Sequence, residues 1–477
     1  MTVRRAGLQP RRGGGRGSSD PPVVAAVLVA ALTLTLSAQE TPRLPALGSV
    51  VLYENARLIP GDGSPAIESS ALLVRDGRIS AVGKKGEVSA PAGTPHVDLS
   101  GKTVIPTFTN AHTHVGFQRG ATYARENYSR ETILDDLNRA LYFGVTAVAS
   151  QGIDPGDVAL RIRAEQGAGT LGGARLFLAG RGIGAPNAGP GADAYRGIAY
   201  EVTTPEQGRQ AVREQAALGV DLIKIWVDDR NGRAPRMTPD VSHAIIAEAH
   251  ARGLKVNAHV FYLSDVKDLA TAGIDGFVHL ARDLELDDDA VRLIVQRGIT
   301  VTPTIATPER TTHTSVPAAF GVWLDGPVRA ALPLATLERV KAAFAARDEA
   351  TALAARGRYV ILQRSVARLA KAGAKVALGS DTGTQDHPFG VTDHRELEML
   401  VEAGMTPMQA LVAATSTSAA YLGLKNQGTL APGQRAHFVV LDANPLEDIT
   451  NTRRIGRVFV DGREVDRAAL AKSLSRP

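Results

Sequence analysis

Cysteine is absent from all 477 residues. Its absence excludes disulfide frameworks, thiolate metal ligands, lipoprotein anchors and Cys nucleophiles, and is compatible with export. No Gly-x-Ser-x-Gly turn occurs, so the nucleophile elbow of a serine hydrolase is missing as well. The apolar run from Val23 to Leu36 falls short of the roughly 20 residues that a spanning helix needs. Basic clusters with interleaved aromatics are also lacking, which argues against a nucleic-acid partner. The formal charge of +5 does not change that, because residues 1–38 carry five Arg and one Asp and so account for four of the five. What is present, 44% hydrophobic and 22% charged residues, is ordinary globular composition with ample material for a large core.

Residues 1–38 have the layout of a secretory signal peptide. Arg4, Arg5, Arg11, Arg12 and Arg16 come first, then the apolar run, then the small residues Ser37 and Ala38. An exported protein is expected, periplasmic or secreted, with a retained N-terminal anchor as the alternative and no other membrane segment.

Beyond the signal the chain begins and ends in short alternating strands. SVVLYENARLI, SSALLVRDGRISAVG and PHVDLSGKTVI lie near the start, and HFVVLDA and RRIGRVFVDGREV near the end, with Asp-Gly turn signals in both groups. These two flanks predict one small β-sandwich assembled from both termini. Between them, eight apolar strand candidates alternate with amphipathic helices: KTVIPTFTNAH, GVTAVAS, ARLFLAG, DLIKIWV, KVNAHV, GFVHLA, ITVTPTIA and KVALGSD. Helical segments such as TPEQGRQAVREQAALG start at Thr or Asp and end at Gly, as capped helices do. The expected fold is therefore α/β, a (β/α)8 TIM barrel carrying a composite β-sandwich, with an open doubly wound sheet as the alternative. The expected organisation is a signal peptide over 1–38, sandwich strands over 39–104, the barrel over 105–425 and returning sandwich strands over 426–477. The long connection after ITVTPTIA is the expected lid or substrate loop.

In TFTNAHTHVGF, His112 and His114 lie two apart on one strand face, about 6.6 Å along the chain, and can converge on one ion. Other strand ends carry Lys224, His259, His279 and Asp381, which in a barrel would meet at the C-terminal mouth. Lys224 belongs to a strand expected to be buried on both faces. It either pairs with Asp228 or Asp229, or loses its charge. A neutral amine can react with CO2 to give a carbamate, a bidentate anion able to bridge two divalent cations. The set suits a two-metal hydrolase, in which bound water acidifies to a pKa of roughly 7 and Asp381 serves both as ligand and as general base.

These motifs, GKTVIPTFTNAHTHVGF, GVDLIKI, KVNAHV, GIDGFVHL, ALGSDTG, HRELEMLVEAGMTPMQAL and GTLAPGQRAHFVVLDANPLEDI, resemble the amidohydrolase superfamily over the whole mature chain. Its imidazolonepropionase-like and prolidase-like branch is the most similar. The resemblance implies that His112, His114 and Asp381 hold one metal ion, that His259 and His279 hold a second, and that carboxylated Lys224 bridges two divalent ions, zinc being the first choice. Asn110, Thr107 and His437 stand where Asp, Gly and Asp are common. The implied activity is hydrolysis of a carbon–nitrogen bond in a small amide or dipeptide-like substrate, Xaa-Pro dipeptides included. The alternatives are a mononuclear hydrolase or deaminase, and a non-catalytic metal- or ligand-binding periplasmic protein.

His394, at the start of the last barrel helix, is a candidate substrate contact, and Arg181 and Arg310 are candidates for binding a substrate carboxylate. His243 and His250 read as surface residues. The pattern leaves oligomerisation open.

Overall fold

The computed structural model describes residues 50–475, apart from 192, 314–316, 347 and 385. The expected signal peptide lies outside the described residues. The core of the chain is an α/β arrangement in which short, largely buried parallel strands, three of them opening on the exposed residues Arg175, Lys255 and Lys375, alternate with helices.

Three parallel strands form one ladder: Phe108–Thr113 pairs with Val145–Ser150, which pairs with Arg175–Leu178. A second ladder runs from Leu222–Trp226 through Lys255–His259, Gly276–Val278 and Thr300–Thr302 to Lys375–Val376, all parallel. The register sets Lys224 opposite Asn257 and Trp226 opposite His259. Backbone bonds also cross between the ladders. Asp221 N donates to Leu178 O, and at the other end Ala111 N donates to Leu378 O and His114 N to Thr382 O. Both faces of such strands are covered, which is why they read as continuous apolar runs rather than alternating ones.

The helices follow their capping signals. Pro205–Ala217 begins at Thr204, whose side chain accepts from Gln207 N while the Gln207 side chain accepts from Thr204 N, a complete capping box. Asp287 caps Asp288–Arg297, which stops at Gly298 in the left-handed conformation. The connection after Thr300–Thr302 is helical for most of its length, over Ala306–Thr312, Ala318–Asp325, Leu334–Ala345 and Glu349–Lys371.

One segment read as a single strand is two. Thr103–Pro106 joins a five-stranded sheet with Arg57–Leu58, Phe438–Leu441, Ile455–Val460 and Arg463–Glu464, whereas Phe108–Thr113 enters the parallel ladder. Pro106 and Thr107 stand at the switch. A four-stranded sheet of Arg78–Lys84, Ser70–Arg75, Val50–Glu54 and His96–Asp98 shares an apolar core with the five-stranded one. There Phe438 and Phe459 stack at 4.3 Å, and Tyr53 meets them edge-on at 5.2 and 5.4 Å. Both Asp-Gly signals form turns with positive φ at both residues, Asp76 with Gly77 and Asp461 with Gly462. A Cβ at Gly77 would come within 2.9 Å of the Asp461 carbonyl oxygen, so the two turns pack against each other only with glycine there. Buried His437 places Nε2 3.0 Å from Asp461 Oδ1 and ties that turn to the sheet.

Candidate metal centre

Each sequence-predicted donor sits at or just beyond the C-terminal end of a parallel strand, except Lys224, which lies in mid-strand. His112 and His114 close Phe108–Thr113, His259 ends Lys255–His259, and His279 follows Gly276–Val278. His279 and Asp381 leave extended backbone with φ of 73° and 56°. Non-glycine residues rarely adopt that region, and such strain concentrates at functional sites. Thr304, at φ 51°, shares the feature and its Oγ1 bonds His279 Nδ1, which leaves His279 Nε2 to face the cluster.

The side chains converge. Asp381 Oδ1 lies 3.0 Å from His114 Nε2 and 3.1 Å from His112 Nε2. The ring of His112 is 5.0 Å from that of His114 and 5.1 Å from that of His279, which in turn is 4.5 Å from His259. His112, His279 and Asp381 each bring a donor atom within 4.8 Å of the others. All five side chains and Lys224 line one cavity of about 420 Å³, large enough for a dipeptide-sized molecule.

Burial sets the electrostatics. It pushes His112 down to about 3, helped by the nearby Lys224 charge, and drives His259 and His279 well below the usual histidine value. All three imidazoles are therefore neutral donors. Burial alone would raise Asp381, yet the His112 and His114 imidazoles beside it outweigh that and hold it well below the carboxylate range. Lys224, 1% exposed, is pushed down to about 7 by burial, with Arg230 adding to the effect and Asp381 and Asp228 opposing it. Near neutrality a substantial fraction of this amine is uncharged. It forms no ion pair with Asp228 or Asp229. Asp228 instead lies 3.5 Å from His259 Nε2, and Asp229 accepts from the Tyr262 hydroxyl.

A divalent cation fits this donor set. His112 Nε2, His114 Nδ1, Lys224 Nζ and Asp381 Oδ1 are all buried without a hydrogen-bond partner among the described residues. His112 Nε2 and Asp381 Oδ1 are close yet out of hydrogen-bond alignment. Unpaired buried polar atoms cost about 1–3 kcal/mol each, and a cation held between the His112 nitrogen and the Asp381 oxygen would satisfy both.

The profile of the Amidohydrolase family matches residues 103–465. The chain belongs to that family. It is similar to ochratoxinase of Aspergillus niger, 26% identical over 437 residues that span 82% of this chain and 81% of the other. It is also similar to enamidase of Eubacterium barkeri, 23% identical over 410 residues, 84% of this chain and 89% of the other. Among solved structures it is similar to a Xaa-Pro dipeptidase with methionine in its active site, with TM-score 0.69, 25% identity and coverage of 87% of this chain and 100% of the other. The protein is accordingly a hydrolase acting on carbon–nitrogen bonds, of a generally metal-dependent family.

Several other expectations end elsewhere in this amidohydrolase. His394 does not line the cavity. It is 1% exposed, with Nε2 on Phe143 O and Nδ1 on Thr452 Oγ1, both at 3.0 Å, and it packs against Phe108, Phe143 and Trp323. The expected substrate contact is replaced by a structural one, because the start of its helix is covered by neighbouring segments. Arg181 donates from Nε to Ile198 O and stacks on Tyr200 at 3.9 Å, also away from the cavity. The Arg310 side chain lies outside the described residues. His243 and His250 are exposed and pair with Asp268 and Asp275. The long connection does reach the site, through Thr307, Pro308, Thr311, Ala355 and Arg358. Sequence patterns did not single out Thr307, whose Oγ1 donates to Asp381 Oδ2 at 3.1 Å, or Arg230 and Arg282 in the cavity wall. The only signal was position, since each falls within a few residues after a strand end.

Proposed function

We propose that this protein is an exported binuclear amidohydrolase that cleaves the carbon–nitrogen bond of a small amide or dipeptide-like substrate. The observation that carries the reading is the buried cluster in which Asp381 Oδ1 meets His112 and His114, beside a Lys224 amine without a hydrogen-bond partner among the described residues. In this reading His112, His114 and Asp381 hold one divalent cation and His259 and His279 a second, zinc being suited to imidazole and carboxylate donors. Lys224 would serve as a further ligand in the form of its carbamate: the uncharged amine adds to CO2, an N–C bond forms, and one proton leaves. Bound cations would supply Lewis acidity that polarises the scissile carbonyl and lowers the pKa of water to roughly 7.

The chain's own residues supply the rest. Asp381, anionic and held by Thr307 through Oδ2, takes the proton of the attacking water and returns it to the leaving nitrogen. Walls from the connection after Thr300–Thr302 and from the 181–197 loop, which contributes Pro190, Gly191 and Tyr195, restrict water and orient the substrate. The eight parallel strands are read as a (β/α)8 barrel, supported by the backbone bonds between the two ladders. The two smaller sheets are read as one β-sandwich built from both ends of the chain, supported by their shared core. Export is supported by the layout of residues 1–38.

A mononuclear reading has one observation in its favour: among the described residues, the compact three-donor group is His112, His279 and Asp381. The two are separated by activity with and without metal. Residues 39–477, prepared with zinc and bicarbonate, are assayed on Xaa-Pro dipeptides, N-acyl amino acids and neutral anilides. Release of free amine that is abolished by a chelator and restored by two equivalents of metal supports the binuclear reading. Full restoration by one equivalent favours the mononuclear one, and no cleavage with metal bound contradicts both.

A further inference from the structure

The cavity around the proposed metal centre carries more positive charge than that chemistry uses. Four arginines line it, Arg230, Arg233, Arg282 and Arg358, against two carboxylates, Asp228 and Asp381. Both carboxylates are already engaged beside histidines. Arg282 and Arg358 each place their guanidinium carbon 5.2 Å from the centre of the Phe261 ring. Arg282 comes from just after Gly276–Val278 and gives one hydrogen bond to Val260 O, while Arg358 reaches in from Glu349–Lys371. Arg230 is suspended by its Nε from the carbonyls of Ala188 and Gly189 at 2.9 and 3.0 Å, which leaves its two terminal nitrogens toward the cavity.

None of Arg230, Arg282 and Arg358 forms an ion pair within 4.0 Å among the described residues. Arg230 and Arg282 are half-buried and Arg358 is exposed; holding the three near one another without an anion costs free energy through repulsion and, for the first two, through desolvation. Burial, with Arg230 contributing, pushes Arg282 down to about 10, against the attraction of Asp228. A fixed guanidinium fork matches a carboxylate in a bidentate manner. The positions divide into two: Arg282 with Arg358 about Phe261, and Arg230 on the 188–189 carbonyls.

We propose that the substrate is an amide carrying two carboxylates, such as an N-acylated or peptide-linked acidic amino acid, with one carboxylate held by Arg282 and Arg358 and the other by Arg230. This rests on the hydrolase reading and narrows its substrate class. Arg282, Arg358 and Arg230 then set specificity, excluding neutral amides because binding them would leave the guanidiniums desolvated and unpaired.

The test pairs each acid with its amide isostere on the full metal-loaded protein: N-acetylglutamate against N-acetylglutamine, and Ala-Glu against Ala-Gln. Calorimetric titration with glutarate and with butyrate gives a second readout that needs no turnover. The expected result is a kcat/KM preference of about 50-fold or more for the two-carboxylate member, carried mainly by KM, with glutarate binding at least about 10-fold tighter than butyrate. Arg282→Met and Arg358→Met should each collapse the preference to below about fivefold. Arg358 is exposed on its helix, so its variant keeps the test decisive if Arg282→Met does not fold. Acid and amide members within about threefold of each other, or a preference that survives in both variants, would overturn the proposal. If no member of either pair and no neutral anilide is cleaved, the hydrolase reading fails. The glutarate and butyrate titrations then decide the two-anion site alone, equal affinities overturning it and a glutarate preference lost in the Arg358 variant supporting it.

Discussion

The hydroxyl of Thr307 donates to Oδ2 of Asp381 at 3.1 Å, across 74 residues of sequence. This links the first helix of the long connection to the carboxylate proposed to move the proton. The carboxylate's other oxygen faces His112 and His114, so Thr307 fixes the one that remains free.

Thr307→Val keeps the shape of the side chain and removes the donor. A hydrogen bond to a charged group contributes about 1.5–3 kcal/mol, equivalent to a fall in kcat of roughly 10- to 100-fold. Steady-state kinetics should show the loss in kcat with KM nearly constant. An unchanged kcat would mean that Asp381 is oriented without Thr307.

The same helix is anchored by a buried ion pair. Arg395 donates from Nε to Glu309 at 3.0 Å, and both side chains are almost fully buried. Arg395 also reaches Glu398 at 2.7 Å and Glu402 at 2.9 Å, so losing Glu309 leaves it paired and costs about 1–3 kcal/mol, less than stranding a buried charge outright. Glu309→Gln should therefore lower the denaturant midpoint measurably, whereas a midpoint within experimental error of the parent would show that Glu398 and Glu402 suffice to hold Arg395.

His394 makes a pH prediction. Burial pushes it down to about 3, with Arg453 and Arg467 adding to the effect and Phe143 O opposing it. The folded state keeps this imidazole neutral while the unfolded chain protonates near 6.5. Its contribution is thus present above about 6.5 and lost as pH falls toward 3, by at most about 1.4 kcal/mol per pH unit. Urea unfolding of the parent and of His394→Gln at pH 7, 6, 5 and 4 should show a shallower pH dependence for the variant, and parallel curves would contradict the assignment.

Much of this site was legible because strands carry their own periodicity. His112 and His114 share a face by spacing alone, His259, His279 and Asp381 stood out as polar residues near the ends of apolar runs, and Lys224 as a charge within one. Contacts made across sequence were not legible. Nothing in DHREL reports that Phe143, Trp323 and Thr452 close over His394. Thr307, Arg230 and Arg282 lie in connections, where side-chain direction follows from tertiary packing rather than from a repeat. The division of KTVIPTFTNAH between two sheets was hidden for a related reason: both halves are apolar and buried, so composition does not change at the switch. Asn110 was noted only as a departure. In the structure its Oδ1 accepts from His112 N and its Nδ2 donates to Ser380 Oγ at 2.8 Å, so it braces the histidine-bearing strand against the segment leading to Asp381.

The most direct measurement is metal content per chain, by plasma mass spectrometry, on residues 39–477 prepared with zinc and bicarbonate and on Lys224→Ala prepared identically. The account predicts close to two metal ions in the parent and one or fewer in the variant. One ion in both proteins would contradict the carbamate-bridged pair.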